Sequence, residues 1–305
     1  MRLALMIEGQ EGVTWQQWVA LAQTCERAGL EGLFRSDHYS GFIGSSGGSL
    51  DAWSTVTALA AVTERITLGT LVSPATFRHP SLLARMVAGA SQISGGRIEL
   101  GFGAGWNEDE HRQAGFPFPP ARERFALFAE QLEILRLSWS GERFDFTGAN
   151  YELRDAQPRP LPLGHQHVIV GGMGMPGTIG PAAHFADEYN TALASPQEAA
   201  RRRALVDDAC AQAGREPIAF SLMARCVVGE DRGEVKRRSE HIREVAGDDP
   251  FADPEVAIDG TVEEVVERLA EFEAAGVQRV MLRHLAVDDL EMIELVGREV
   301  LPRVS

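Results

Sequence analysis

Of the 29 basic side chains in this 305-residue chain only one is a lysine, Lys236, and the chain has just three cysteines. Cys25, Cys210 and Cys226 are far apart and odd in number, which excludes a disulfide framework and a paired metal motif. Positive charge is scarce overall: 44 acidic residues leave a formal net charge of −15. Nucleic acid needs a basic face to neutralise its phosphates, so that partner is excluded, and an acidic membrane surface with it. An anionic ligand has to be held by local dipoles, backbone N–H groups and a few arginines against the overall field. No stretch approaches the roughly 18 apolar residues of a membrane span, and the apolar run at positions 3–7 is too short for the core of a signal peptide. These absences predict a cytoplasmic protein. No linker, low-complexity tract or repeat divides the chain, so 1–305 is expected to form one domain.

What is present is ordinary globular composition, 44% hydrophobic and 24% charged, arranged as short apolar runs alternating with helical periodicity. Strands are predicted at 3–8, 32–37, 66–72, 97–103, 167–172, 188–193, 219–228 and 279–285. Helices are predicted at 14–28, 52–63, 79–93, 121–139, 177–186, 196–213, 232–246 and 261–275, with a last one at 288–304. The first shows the reasoning: Thr14 can cap it, Trp18, Leu21, Ala22 and Cys25 fall at helical spacing, and Gly29 ends it. Strands alternating with helices pair in parallel through βα units. Eight such units favour an α/β fold closed as a (β/α)8 TIM barrel with short insertions, at 140–162 and 247–260. An open doubly wound sheet is the alternative that pattern alone leaves open.

In a barrel the chemistry sits at the carboxyl ends of the strands. Read there, the sequence offers Glu8, then Arg35, Ser36, Asp37 and His38, then Ser73. Beyond these come the loop 103–107, the loop 171–174, Asn190, Arg225, Arg283 and His284. Asp37 and His38 put a carboxylate beside an imidazole, the side chain suited to proton exchange near neutral pH. They are not a hydrolase triad, because neighbours on a strand point to opposite sides. Gly101, Gly103 and Gly105 are spaced GxGxG, a weak dinucleotide fingerprint but a place where backbone can approach a flat ring. The run from Gly171 to Thr178 passes from strand to helix, where free N–H groups can hold a phosphate. The histidines lack ligand spacing, so no metal is expected. Trp15, Trp18 and Trp53 are expected to pack rather than bind a cofactor.

Several segments carry a likeness to a known family. They are Leu33-Phe34-Arg35-Ser36-Asp37-His38, the runs 66–74 and 76–80, and 94–106 with its Gly101-Phe102-Gly103-Ala104-Gly105-Trp106. Further on come Phe144-Asp145-Phe146-Thr147-Gly148 with Tyr151, Ala186-Asp187-Glu188-Tyr189-Asn190, and the tail from Gly260 to Pro302. In this order they resemble the luciferase-like monooxygenase superfamily, and most its deazaflavin branch, which uses coenzyme F420. The resemblance spans essentially the whole chain.

The resemblance implies a flavin-type ring at the carboxyl end of the barrel, supported by a bulge with a non-proline cis peptide at Leu71-Val72-Ser73. It implies His38 as proton donor with Asp37 orienting it or touching the ring. Ring and tail contacts are implied from Gly103, Gly105, Trp106, Asn107 and Tyr151, and a phosphate-receiving loop at Gly171, Gly172, Met173 and Gly174. Two departures stand out. Relatives often carry Lys or Arg after the strand-five glycines, whereas the run from Met175 to Pro181 has none. The branch's sugar-phosphate dehydrogenases carry a glutamate where this chain has Trp106.

The resulting expectation is an F420-dependent oxidoreductase moving a hydride to or from a small organic substrate, in a homodimer. The alternative is an FMN-dependent monooxygenase, which would need a reductase partner. A barrel without catalysis is the third reading. Phe42, Phe144, Tyr151 and Phe251, in the segments 39–51, 140–162 and 247–260 that could each form a lid, suggest an apolar or aromatic substrate.

Overall fold

The structure is a computed structural model that describes residues 1–41, 48–247, 249, 251 and 253–304; Phe42 lies outside them. Its strands are β1 (Arg2–Ile7), β2 (Gly32–Arg35), β3 (Thr67–Thr70), β4 (Ser73–Pro74), β5 (Ile98–Gly103), β6 (Phe144–Thr147), β7 (Glu152–Ala156), β8 (His167–Gly171), β9 (Glu188–Ala192), β10 (Ala219–Gly229), β11 (Ile258–Thr261) and β12 (Arg279–Arg283). Eight of them pair in parallel in the order β1-β2-β3-β5-β8-β9-β10-β12, and β12 returns to β1, so the sheet closes into a TIM barrel. Short β4 continues the β3 side along β5, and β11 runs beside the far half of β10. The antiparallel pair β6–β7 forms the first expected insertion as a hairpin.

The helices between the strands are α1 (Trp15–Ala28), α2 (Ala52–Ala60), α3 (Pro80–Ser94), α4 (Glu108–Ala114), α5 (Ala121–Trp139), α6 (Pro176–Phe185), α7 (Pro196–Gln212), α8 (Arg232–Ala246), α9 (Val262–Ala274), α10 (Leu290–Leu295) and α11 (Leu301–Val304). Their boundaries follow local chemistry. Thr14 and Gln17 form a reciprocal capping box on α1, and Gly29 ends that helix with φ 78°, a conformation that suits glycine because it lacks a Cβ. The helix expected at 288–304 is instead interrupted by a wide π turn at Val296–Val300. There Gly297 lies so close to the backbone of Ala28 that no Cβ would fit. No helix among the described residues is long and apolar enough to cross a membrane.

The two-residue strand period decides what faces the barrel axis. Ala4, Met6, Phe34, Leu71, Ile169 and Met281 pack together as its apolar middle. Below them, at the amino ends of the strands, fully buried Arg279 meets Glu99 at 2.7 Å, Glu31 at 3.0 Å and Glu188 at 3.2 Å. His167 lies 3.3 Å from Glu188; burial pulls its pKa down, but the carboxylates of Glu188 and Glu99 outweigh it and the net shift is upward. Burial alone would raise the Glu188 pKa, but His167 and Arg279 hold it down at about 2. This ionic floor closes one end of the barrel and leaves the other for a site.

Candidate functional site

One step further along the same strands, the inward positions line a cavity of about 540 Å³ at the carboxyl end. Met6 lies in β1 and Glu8 follows it, Ser36 and His38 follow β2, and Gly103 and Gly171 end β5 and β8. Asn190 and Ala192 come from β9, Met223 and Arg225 from β10, and Arg283 from β12. Alternation explains much of the choice: Met6 and Glu8, Ser36 and His38, Asn190 and Ala192, and Met223 and Arg225 are each two apart, while Ala224 also reaches the cavity.

The wall has a raised shelf. The Leu71–Val72 peptide is cis, as the resemblance implied, and it carries Val72 between two glycine strand ends. A Cβ on Gly103 or on Gly171 would stand 2.8 Å from a Val72 methyl carbon, so glycine at both positions lets the shelf sit there. Behind it, the Ser73 hydroxyl donates to Asp37 Oδ2 at 2.6 Å and accepts from Trp53 Nε1 at 3.0 Å. Arg78 completes the brace, 2.5 Å from Asp37 and 3.0 Å from Asp51.

That brace corrects one expectation. Asp37 is buried and engaged by Arg78 and Ser73, so it braces the shelf and does not orient His38. The carboxylate on His38 is Glu110, from the short helix α4, whose oxygens lie 2.8 and 3.0 Å from Nδ1. Glu110 also accepts the Tyr39 N–H at 3.1 Å, which fixes it against the loop that carries His38. Burial pulls the His38 pKa down, but the hydrogen bond and charge of Glu110, with Glu8 and Asp37 behind, outweigh it, and the net shift is upward. Trp106 sets its ring edge-on to His38 at 5.5 Å between centroids.

The other expected residues divide. Leu71, Val72, Gly103, Gly105, Trp106, Gly171, Gly172 and Met173 line the cavity with His38. Ser73 stands behind the wall. Asn107 is the residue before α4, with its carbonyl accepting from His111 Nδ1 at 2.5 Å. Gly174 turns away with φ 80°, and its N–H donates to the Tyr189 hydroxyl at 3.0 Å. Tyr151 sits outside the cavity on the hairpin, where its hydroxyl accepts from Gln131 at 2.6 Å and its ring meets His79 edge-on. Of the aromatic loop residues, Phe251 lines the cavity and Phe144 does not.

Sequence reasoning missed Glu110, Arg124, Phe125, Met223 and Val256, all of which line the cavity. A signal for Glu110 existed in the three successive acidic residues Glu108, Asp109 and Glu110 after the β5 glycines. Two are exposed and one is buried, and only the structure separates a solvated charge from one that holds an imidazole. Among the described residues no cluster of His, Cys, Asp and Glu is placed to hold a metal ion.

Comparison with known proteins adds four findings. The model of the luciferase-like monooxygenase family matches residues 2–254. An F420-dependent glucose-6-phosphate dehydrogenase of Microbacterium testaceum is 27% identical across 92% of this chain and 90% of its own length. An F420-dependent hydroxymycolic acid dehydrogenase of Mycobacterium tuberculosis is 29% identical across 72% of this chain and 61% of its own. Among solved structures, an F420-dependent secondary alcohol dehydrogenase with an F420–acetone adduct aligns over 100% of this chain and 99% of its own. The TM-score is 0.86 at 19% identity, a likeness of fold.

Proposed function

This chain belongs to the luciferase-like monooxygenase family, and from that premise we propose that it is a coenzyme F420-dependent oxidoreductase acting on a small organic substrate. The observation that carries the reading is the histidine–carboxylate pair, His38 and Glu110, in the wall of a cavity that also carries a glycine-bounded shelf. A flat ring needs close backbone approach, which Gly103 and Gly171 permit beside Val72. An anionic arm needs an open N–H group, and α6, which starts at Pro176 with no side-chain cap on Met175, leaves the Gly177 N–H in its first turn. The named function of the dehydrogenases in two bacteria supports the choice of F420 over FMN.

Bound there, the deazaflavin would supply a hydride donor or acceptor at its ring. The chain's own residues do the rest. With Nδ1 engaged by Glu110, His38 exchanges the accompanying proton at Nε2, giving it up when a carbonyl is reduced and taking it when an alcohol is oxidised. Glu110 holds the ring in one orientation and stabilises its charged form. Met6, Met223, Phe251 and Val256 put apolar surface on the remaining wall beside Glu8, Asn190, Arg225 and Arg283, a mixed lining that fits a small organic substrate carrying a polar group. A homodimer in the cytoplasm completes the proposal. Leu82 and Ile93 are exposed three turns apart on α3, with Met86 half-buried between them, a stripe that a second copy would cover.

The test is the pH profile of F420-dependent turnover in the wild type and in Glu110→Gln. The folded protein raises the His38 pKa through Glu110; removing that charge lowers it. The limb assigned to His38 therefore moves to lower pH in either reaction direction. Reduction loses rate above that pKa and oxidation loses rate below it. Above the shifted limb, reduction in Glu110→Gln is expected to fall roughly ten- to a hundredfold, the scale of one charged hydrogen bond. An unmoved limb contradicts the proton assignment, and absence of F420-dependent turnover contradicts the function.

A further inference from the structure

The run after Gly174 offers an anion no basic side chain, in a chain whose net charge is −15. A cation arrives from another helix. The first turn of α5 presents Ala121, Arg124 and Phe125 to the cavity, a spacing of i, i+3 and i+4 that places them on one helix face. Phe125 abuts the start of α6, where a Cβ on Gly177 would stand 2.5 Å from its ring. Arg124 is thereby held on the wall it shares with Gly172, Met173 and Met175. Its guanidinium lies 4.0 Å over the Phe118 ring and donates to the Pro119 carbonyl at 2.7 Å. Its Nε is buried without a hydrogen-bond partner among the described residues. The other wall arginines have acidic partners: Arg225 meets Asp259 at 3.3 Å, and Arg283 meets Glu8 and Asp249, each at 2.7 Å. Among the described residues Arg124 has none.

We propose that Arg124 supplies, from α5, the positive charge that binds the cofactor's phosphate arm. The inference rests on the F420 reading above. A buried donor with no partner is costly, and a charge-assisted bond to a phosphate oxygen relieves that cost only when ligand is bound. Against the acidic field of the whole chain, one local cation is what gives the phosphate end its affinity.

Fluorescence titration of the wild type, Arg124→Gln and Arg124→Lys tests this with two ligands, F420 and its phosphate-free deazaflavin nucleoside. In Arg124→Gln the Kd for F420 is expected to rise roughly ten- to a hundredfold, while the Kd for the nucleoside stays the same. Arg124→Lys, which keeps the charge without the planar fork, should recover part of the loss. Added salt should weaken F420 binding less in Arg124→Gln than in the wild type. Unchanged F420 binding, or an equal loss for both ligands, overturns the inference and leaves the cofactor reading standing. If the wild type binds neither ligand, the cofactor reading falls and this inference with it.

Discussion

Replacing His38 with alanine is expected to lower kcat/KM for F420-dependent turnover by about 10²- to 10⁴-fold, the usual contribution of a positioned acid or base. The expectation comes from geometry before it comes from titration. His38 lines the cavity, Glu110 holds one ring nitrogen at 2.8 Å, and among the described residues no second histidine stands on that wall. The substitution removes a proton carrier and leaves the shelf at Leu71–Val72 in place, so the Kd for F420 should change far less than the rate. Imidazole added to the medium should restore part of the rate in His38→Ala and none in Glu110→Gln. Turnover within threefold of the wild type, measured with an identified substrate, would remove His38 from the chemistry.

The second large effect concerns stability. Arg279→Met is expected to cost about 3–5 kcal/mol, the range for removing one partner of a buried ion pair. Methionine roughly fills the space of the arginine stem, so the loss is chiefly electrostatic. Glu99 and Glu188 would face one another with His167 3.3 Å from Glu188 and Arg2 at 3.8 Å, while Glu31 would keep Arg2 at 2.9 Å. The pH dependence identifies the cause. Glu188 is held at about 2 from an ordinary 4.5, so its pairing stabilises the wild type fully above about pH 4.5. That contribution is lost as pH falls through the folded value. The deficit of Arg279→Met should therefore be largest near neutral pH and shrink on acidification. A deficit that is constant with pH in urea melts would point to lost packing against Phe34 instead, whose ring lies 4.8 Å from the guanidinium.

Much of the architecture was readable because barrel strands and helices announce themselves by period. The eight barrel strands lie within a few residues of their expected positions, and α1, α3 and α8 follow caps and glycines that act locally. What escaped was short or decided by tertiary contact. Helix α4 has seven residues, too few for a periodic signal, yet it delivers Glu110. Strand β11 exists because β10 extends past the barrel and offers it an edge. The site was legible in outline for a related reason: strand ends are local, so His38, Gly103, Gly171, Arg225 and Arg283 could be named from alternation alone. Partners were not. Asp37 neighbours His38 in sequence but reaches Arg78, and the carboxylate that does reach His38 lies 72 residues on. Tyr151 matched a family segment, while its hairpin carries it to Gln131 on α5 instead of the cavity.

The most direct test of the central claim is an anaerobic single turnover. The protein loaded with reduced F420 is mixed with a panel of small ketones and enones, and reoxidation of the deazaflavin is followed beside a parallel sample loaded with reduced FMN and given oxygen. The account predicts stoichiometric reoxidation of F420 by at least one organic acceptor without oxygen, with no oxygenated product from the FMN sample. Tight FMN binding with oxygen insertion into a substrate, and no hydride transfer from F420, would contradict it.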